Sequence, residues 1–125
     1  MKDKAIAYFK AFSSKDLDSL NNMYAEDIVL TDWSSSFRGR ESVLQSNKDF
    51  FEETSVVKIT YEPCLMYVGT NTIACEIAIT IVGDVTSSPE TLLGVVDIIE
   101  FNEEGKISQI RAYLGEKDLL WRDAK

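Results

Sequence analysis

Between Lys4 and Ser13 the apolar residues recur at Ala5, Tyr8, Phe9 and Phe12. That spacing is the i, i+3, i+4, i+7 stripe of an amphipathic helix. Ser14 is a candidate N-cap for a second helix, with Asp16 and Asp18 in the first turn, where carboxylates suit the helix dipole. Leu17, Leu20, Met23 and Tyr24 form its buried side, and the short joint makes the pair a helical hairpin. Ile28 to Trp33 reads as a strand, and the polar run Ser34, Ser35, Ser36 as a loop. A third helix is predicted from Arg40 to Glu53, with Val43, Leu44, Phe50 and Phe51 facing inward.

After Thr54 and Ser55 the period changes to two, the repeat of a strand with one buried face. Val57, Ile59 and Tyr61 alternate with polar residues, Pro63 interrupts, and Leu65 to Val68 continues. Gly69-Thr70-Asn71 is a turn. Ile73, Cys75, Ile77, Ile79 and Ile81 mark a long strand, and 83–90 a loop. Leu92 to Phe101 and Lys106 to Leu114 are two more strands, joined by a hairpin turn at Asn102-Glu103-Glu104-Gly105. Helices first and an antiparallel meander second predict an α+β fold in which the helices cover the apolar sheet face. Within the polar tail, Leu119, Leu120 and Trp121 are positioned to dock on the body or on a partner chain.

Composition narrows the chemistry. With 125 residues the chain fits a single domain, 1–125. Its formal net charge of -8, with no basic stripe, argues against a nucleic-acid partner and against an anionic membrane surface. The opening Met1-Lys2-Asp3-Lys4 leads straight into the helical pattern with no signal-type apolar block, so a cytoplasmic location is expected. Cys64 and Cys75 flank a turn and read as small core residues rather than a disulfide framework. There is no histidine. Ser-His-Asp and Cys-His nucleophile systems are thereby excluded, and no metal or organic cofactor is expected. Acid–base work falls to Asp, Glu, Tyr, Lys or Cys.

Three residues carry candidate chemistry. Asp97 lies mid-strand, sharing a face with Leu93, Val95, Ile99 and Phe101. If that face is the core, the carboxyl group must find a partner or keep its proton, and a protonated acid is a strong donor. The opposite face, Leu92, Gly94, Val96, Ile98 and Glu100, is apolar too, so alternation leaves both orientations open. Asp32 ends the first strand. It fits a general base at a cavity mouth, and it equally fits an Asx-turn at a strand-to-loop junction. Tyr8 falls on the apolar stripe of the first helix, where its hydroxyl needs an internal partner such as Tyr24. Trp33, Phe50, Met66 and Phe101 are candidates to line a substrate pocket.

These residues match a family pattern. Tyr8 with Lys15-Asp16-Leu17-Asp18, Tyr24-Ala25-Glu26-Asp27 before Asp32, and Asp97 before Phe101-Asn102, Gly105-Lys106 and 111–117 together resemble the steroid delta-isomerases (ketosteroid isomerases) of the nuclear transport factor 2-like and SnoaL-like superfamily. The resemblance covers nearly the whole chain. It implies a cystatin-like cone: three N-terminal helices packed on a curved antiparallel or mixed sheet that encloses a cavity. It also implies Asp32 as the base, Tyr8 and Asp97 as oxyanion-hole donors, a small hydrophobic ketone-like substrate, and a homodimer formed through the outer sheet face. An Asp base working with a Tyr and a protonated Asp is the known arrangement of that family. Trp33 stands where the family often has Pro, and Asn47 where it often has a second supporting tyrosine. The same fold hosts hydrolases, cyclases and non-catalytic binding modules. The epoxide hydrolases among them use an Asp-Arg-Asp clamp, for which no arginine lies beside Asp97 in the sequence.

Overall fold

The computed structural model describes residues 1–61, 65–83 and 91–115. Cys64, the loop residues 84–90 and the tail with Leu119, Leu120 and Trp121 lie outside them. The elements are α1 (Lys2–Ser13), α2 (Leu17–Met23), β1 (Tyr24–Thr31), β2 (Ser36–Arg38), α3 (Arg40–Glu53), β3 (Thr54–Thr60), β4 (Met66–Val68), β5 (Thr72–Gly83), β6 (Thr91–Phe101) and β7 (Ile107–Leu114).

The strands form one sheet in the order β2-β1-β7-β6-β5-β3, and β4 also pairs with β5. β3 and β4 take different halves of β5: Thr60 faces Ala78, whereas Met66 faces Cys75. The predicted meander from β5 to β7 is antiparallel. The sheet as a whole is mixed, because β1 pairs parallel to β7, with Leu30 beside Ile110. That contact joins the two ends of the fold and curls the sheet under the three helices.

Several local expectations are corrected. α2 is capped by Asp16, whose carboxylate accepts from Ser19 N at 3.1 Å. Ser14 instead belongs to the end of α1, where its hydroxyl donates to the Lys10 carbonyl at 2.9 Å. Lys15, between the helices, is left-handed (φ 58), and its ammonium donates to the carbonyls of Phe51 and Thr54, closing the end of α3. β1 starts at Tyr24 and stops before Asp32 and Trp33. The serine run is not all loop, since Ser36 begins β2 and faces Thr31.

The core lies between the helices and the inner sheet face. Ala5, Phe9, Leu20, Ile28, Val43, Ile73, Ile77 and Ile99 are fully buried there. The outer sheet face carries Glu76, Val96 and Tyr113 in one cross-strand row, and Tyr67, Ala74, Ile98 and Arg111 in another. Tyr67 and Tyr113 are exposed. Among the described residues no helix is long and apolar enough to cross a membrane.

Candidate functional site

A cavity of about 740 Å³ opens between the helices and the inner sheet face. Its floor comes from β6 and β7, through Val95, Asp97, Ile110 and Ala112. Tyr8 and Phe12 of α1 and Asn47 and Phe50 of α3 form its roof. The rim is the exposed part of the lining: Trp33, Ser34, Ser35, Ser42, Gln45, Asp49 and Glu53. Asp32 sits between rim and interior and is half-buried.

The structure settles which face of β6 is inside. Val95, Asp97, Ile99 and Phe101 point inward, and Asp97 is only 7% exposed. It stands in the row Met66–Cys75–Asp97–Ala112, among neighbours that offer its carboxyl no charge partner. No hydrogen bond to it is found among the described residues. Burial therefore dominates and raises its pKa from the ordinary 3.8 to about 7, so the acid form prevails below neutrality and about half of it remains at pH 7. A buried polar group with no partner is the exception in folded proteins. Here the group faces a cavity.

Tyr8 is also buried and interacts electrostatically with Asp97. Burial is the largest cause of its raised pKa, followed by Tyr24 and Asp97, and it keeps its proton. The Tyr8 and Tyr24 rings stand 6.4 Å apart, centre to centre, and their hydroxyls interact electrostatically. Tyr24 in turn donates to Asn47 Oδ1 at 2.7 Å. Tyr8, Tyr24 and Asn47 thus bring α1, β1 and α3 together at the roof, by a ring contact and a hydrogen bond. Asn47 is 4% exposed. The pattern reading left it out of the inward face of α3, although Val43, Asn47 and Phe51 share an i, i+4, i+8 stripe that points to burial.

Asp32 makes the Asx-type turn and also reaches the cavity. Its Oδ1 accepts from Ser34 N and Ser35 N, each at 2.8 Å, and from Ser34 Oγ at 3.1 Å. Its backbone N–H donates to the Ser35 carbonyl at 2.9 Å. Oδ2 makes no hydrogen bond among the described residues. The turn thus holds the carboxylate by one oxygen at the cavity wall.

Of the predicted lining residues, Trp33 and Phe50 line this cavity with Tyr8, Asp32 and Asp97. Met66 and Phe101 do not. Met66 shares the inward face and row of Asp97, but Cys75 on β5 lies between them. Phe101 lies at the far end of β6, beneath the Lys4 ammonium at 5.7 Å from its ring centre. Arg111 is on the outer face, ion-paired to Glu100, and takes no part in the cavity. No group of three or more Cys, Asp or Glu side chains suited to a metal ion exists among the described residues.

A family model described as SnoaL-like domain matches residues 5–110. Among solved structures, a candidate SnoaL-like polyketide cyclase from Shewanella denitrificans OS-217 superposes with a TM-score of 0.81 at 15% identity, over 91% of this chain and 89% of that one. An LEH-like epoxide hydrolase from M. tuberculosis superposes with a TM-score of 0.78 at 15% identity, over 96% and 88%. A hypothetical protein with a ketosteroid isomerase-like fold from Catenulispora acidiphila DSM 44928, solved in complex with trimethylamine, gives 0.77 at 14% identity, over 88% and 83%. Identities this low speak for the fold alone. No curated protein matches the chain.

Proposed function

This chain belongs to the SnoaL-like domain family, and we propose that its cavity moves a proton within a small apolar ketone, shifting a carbon–carbon double bond. The observation that carries this reading is Asp97: a buried carboxyl group with no hydrogen bond among the described residues, facing a cavity beside Tyr8. In its acid form it donates to a carbonyl oxygen. As an adjacent C–H bond breaks, the proton passes to Asp32 Oδ2 and the electron pair moves onto that oxygen as a dienolate. Asp97 and Tyr8 stabilise the charge from fixed positions in a water-poor site. Asp32 then returns the proton to the far carbon, and the double bond ends in conjugation.

When Tyr8 donates to the oxyanion, its own oxygen is open to accept from Tyr24, which strengthens it as a donor. Asn47 permits this. Turned about its terminal bond, its amide donates to Tyr24 instead of accepting, and the hydrogen-bond chain then runs towards the cavity. Trp33 and Phe50 pack the substrate, and the outer face of the sheet, where Tyr67 and Tyr113 are exposed beside half-buried Val96 and Ile98, serves a homodimer. Sedimentation of wild type beside Ile98→Lys tests the dimer: a monomeric wild type refutes it.

The central test is conversion of a β,γ-unsaturated ketosteroid to its conjugated enone, followed by ultraviolet absorbance. Asp32→Asn is expected to abolish turnover while leaving ligand binding, and Asp97→Ala to lower it. Retained turnover in Asp32→Asn would remove that residue as base. A second reading, ring closure of a polyketide-like ketone, is favoured by the Asp97 pKa near neutrality, which lets one group serve as both acid and base. That chemistry would survive Asp32→Asn. Water activation by an Asp-Arg-Asp clamp is disfavoured, because Arg111 lies on the opposite sheet face.

A further inference from the structure

We propose that the ligand of this cavity has two poles, a carbonyl seated at the Asp97–Tyr8 floor and a protonated amine held at the rim. The inner pole rests on the function proposed above. The outer pole rests on the rim. Asp32, Asp49 and Glu53 all line the cavity, and no lysine or arginine does so among the described residues.

Among the described residues Asp32, Asp49 and Glu53 form no ion pair. Lys15 donates to the carbonyls of Phe51 and Thr54. Arg111 pairs with Glu100 on the other face of the sheet. Arg38 follows Phe37 on β2, and since Phe37 faces the cavity, alternation turns Arg38 away.

Acidic side chains alone would be an ordinary solvated surface on a protein of net charge -8. Two further observations point to a ligand. The Asp97 carboxyl, 7% exposed and without a hydrogen bond among the described residues, faces the same cavity, so the space is built around a polar guest. At the opposite end, Trp33 is 49% exposed on the rim that also carries Asp49 and Glu53. An exposed indole on an acidic rim is a combination that attracts an organic ammonium. A neutral ligand gains little from this rim. A carboxylate, a phosphate or a phosphate-borne carrier thioester is repelled by it.

Three phenols of nearly equal size test the idea, with the phenol oxygen as the floor probe: tyramine, 4-propylphenol and 3-(4-hydroxyphenyl)propanoate. Affinities are measured by calorimetry for wild type and for the Asp49→Asn/Glu53→Gln double variant. Both substitutions are exposed and lie outside the proposed machinery. At about 20 mM salt, tyramine is expected to bind about tenfold more tightly than 4-propylphenol, and the propanoate more weakly than either. Both ratios should shrink in the double variant and at about 300 mM salt. Equal affinities for tyramine and 4-propylphenol would overturn the amine pole while leaving the ketone reading standing. Failure of all three to bind the folded protein would overturn the floor itself, and the proposal with it.

Discussion

Replacing Asp97 with Asn isolates the cost of burying its carboxyl. The group has a pKa of about 7 in the folded protein against 3.8 for an ordinary aspartate, and burial is the cause. Roughly three pH units separate the two values, at about 1.36 kcal/mol each, which gives about 4 kcal/mol. The sign follows from proton counts. Between pH 4 and 7 the folded state holds a proton on Asp97 that the unfolded chain has released. Its stabilising contribution is therefore complete below about pH 4 and is lost as the pH rises through 7. Asn does not titrate. Its own fixed cost of burial displaces the stability difference between variant and wild type equally at every pH, and the other carboxylates titrate alike in both proteins and cancel. The informative quantity is the change in that difference with pH. Urea unfolding at fixed protein concentration, from pH 4 to pH 8, is expected to move the difference by about 4 kcal/mol in favour of Asp97→Asn. A difference constant to within about 0.5 kcal/mol over that range would refute the burial argument.

Three further outcomes are expected. Asn47→Leu removes the acceptor of the buried Tyr24 hydroxyl, which should cost about 1–3 kcal/mol in urea unfolding. The Asn47→Leu/Tyr24→Phe double variant should recover part of that loss, because both polar partners are then gone. Asp16→Ala deletes the N-cap of α2 and should lower the urea midpoint in the same assay, with no effect on ligand affinity. Tyr8→Phe should lower the ionised fraction of a phenol bound in the cavity, read from its ultraviolet spectrum, while the pKa of Asp97 stays raised because burial is its cause; an unchanged ionised fraction would remove Tyr8 as a donor.

Much of the fold is legible because burial writes a period into the chain. The stripe at Ala5, Tyr8 and Phe9 and the alternation through Ile73, Cys75 and Ile77 each mark a buried face that the structure confirms. The boundaries were less legible where side chains compete for backbone groups. Ser14 and Asp16 both suit an N-cap, and the carboxylate serves α2 while the hydroxyl bonds back into α1. The serine run looked like a loop because nothing in it is apolar. Yet Ser36 to Arg38 pair with β1, and strand pairing depends on the partner rather than on the residues themselves. Asn47 escaped the pattern reading of α3 because a polar residue is assigned outward by default.

Local pattern was enough to establish that this chain combines helices and strands in an α+β fold, that it lacks histidine chemistry, and that a carboxyl group sits in the middle of an apolar strand. Both faces of that strand are apolar, so local pattern could not say which one the helices cover. Packing decided it, by placing Asp97 in the inward row between Cys75 and Ala112. The parallel pairing of β1 with β7 was likewise a global outcome, since it joins segments some eighty residues apart and no short-range pattern encodes it. That pairing sets Leu30 beside Ile110 and so carries Asp32, two residues further on, to the wall of the cavity whose floor Asp97 forms. Burial is a property of what packs on top. The pKa of Asp97, and whatever chemistry follows from it, therefore belongs to the assembled fold.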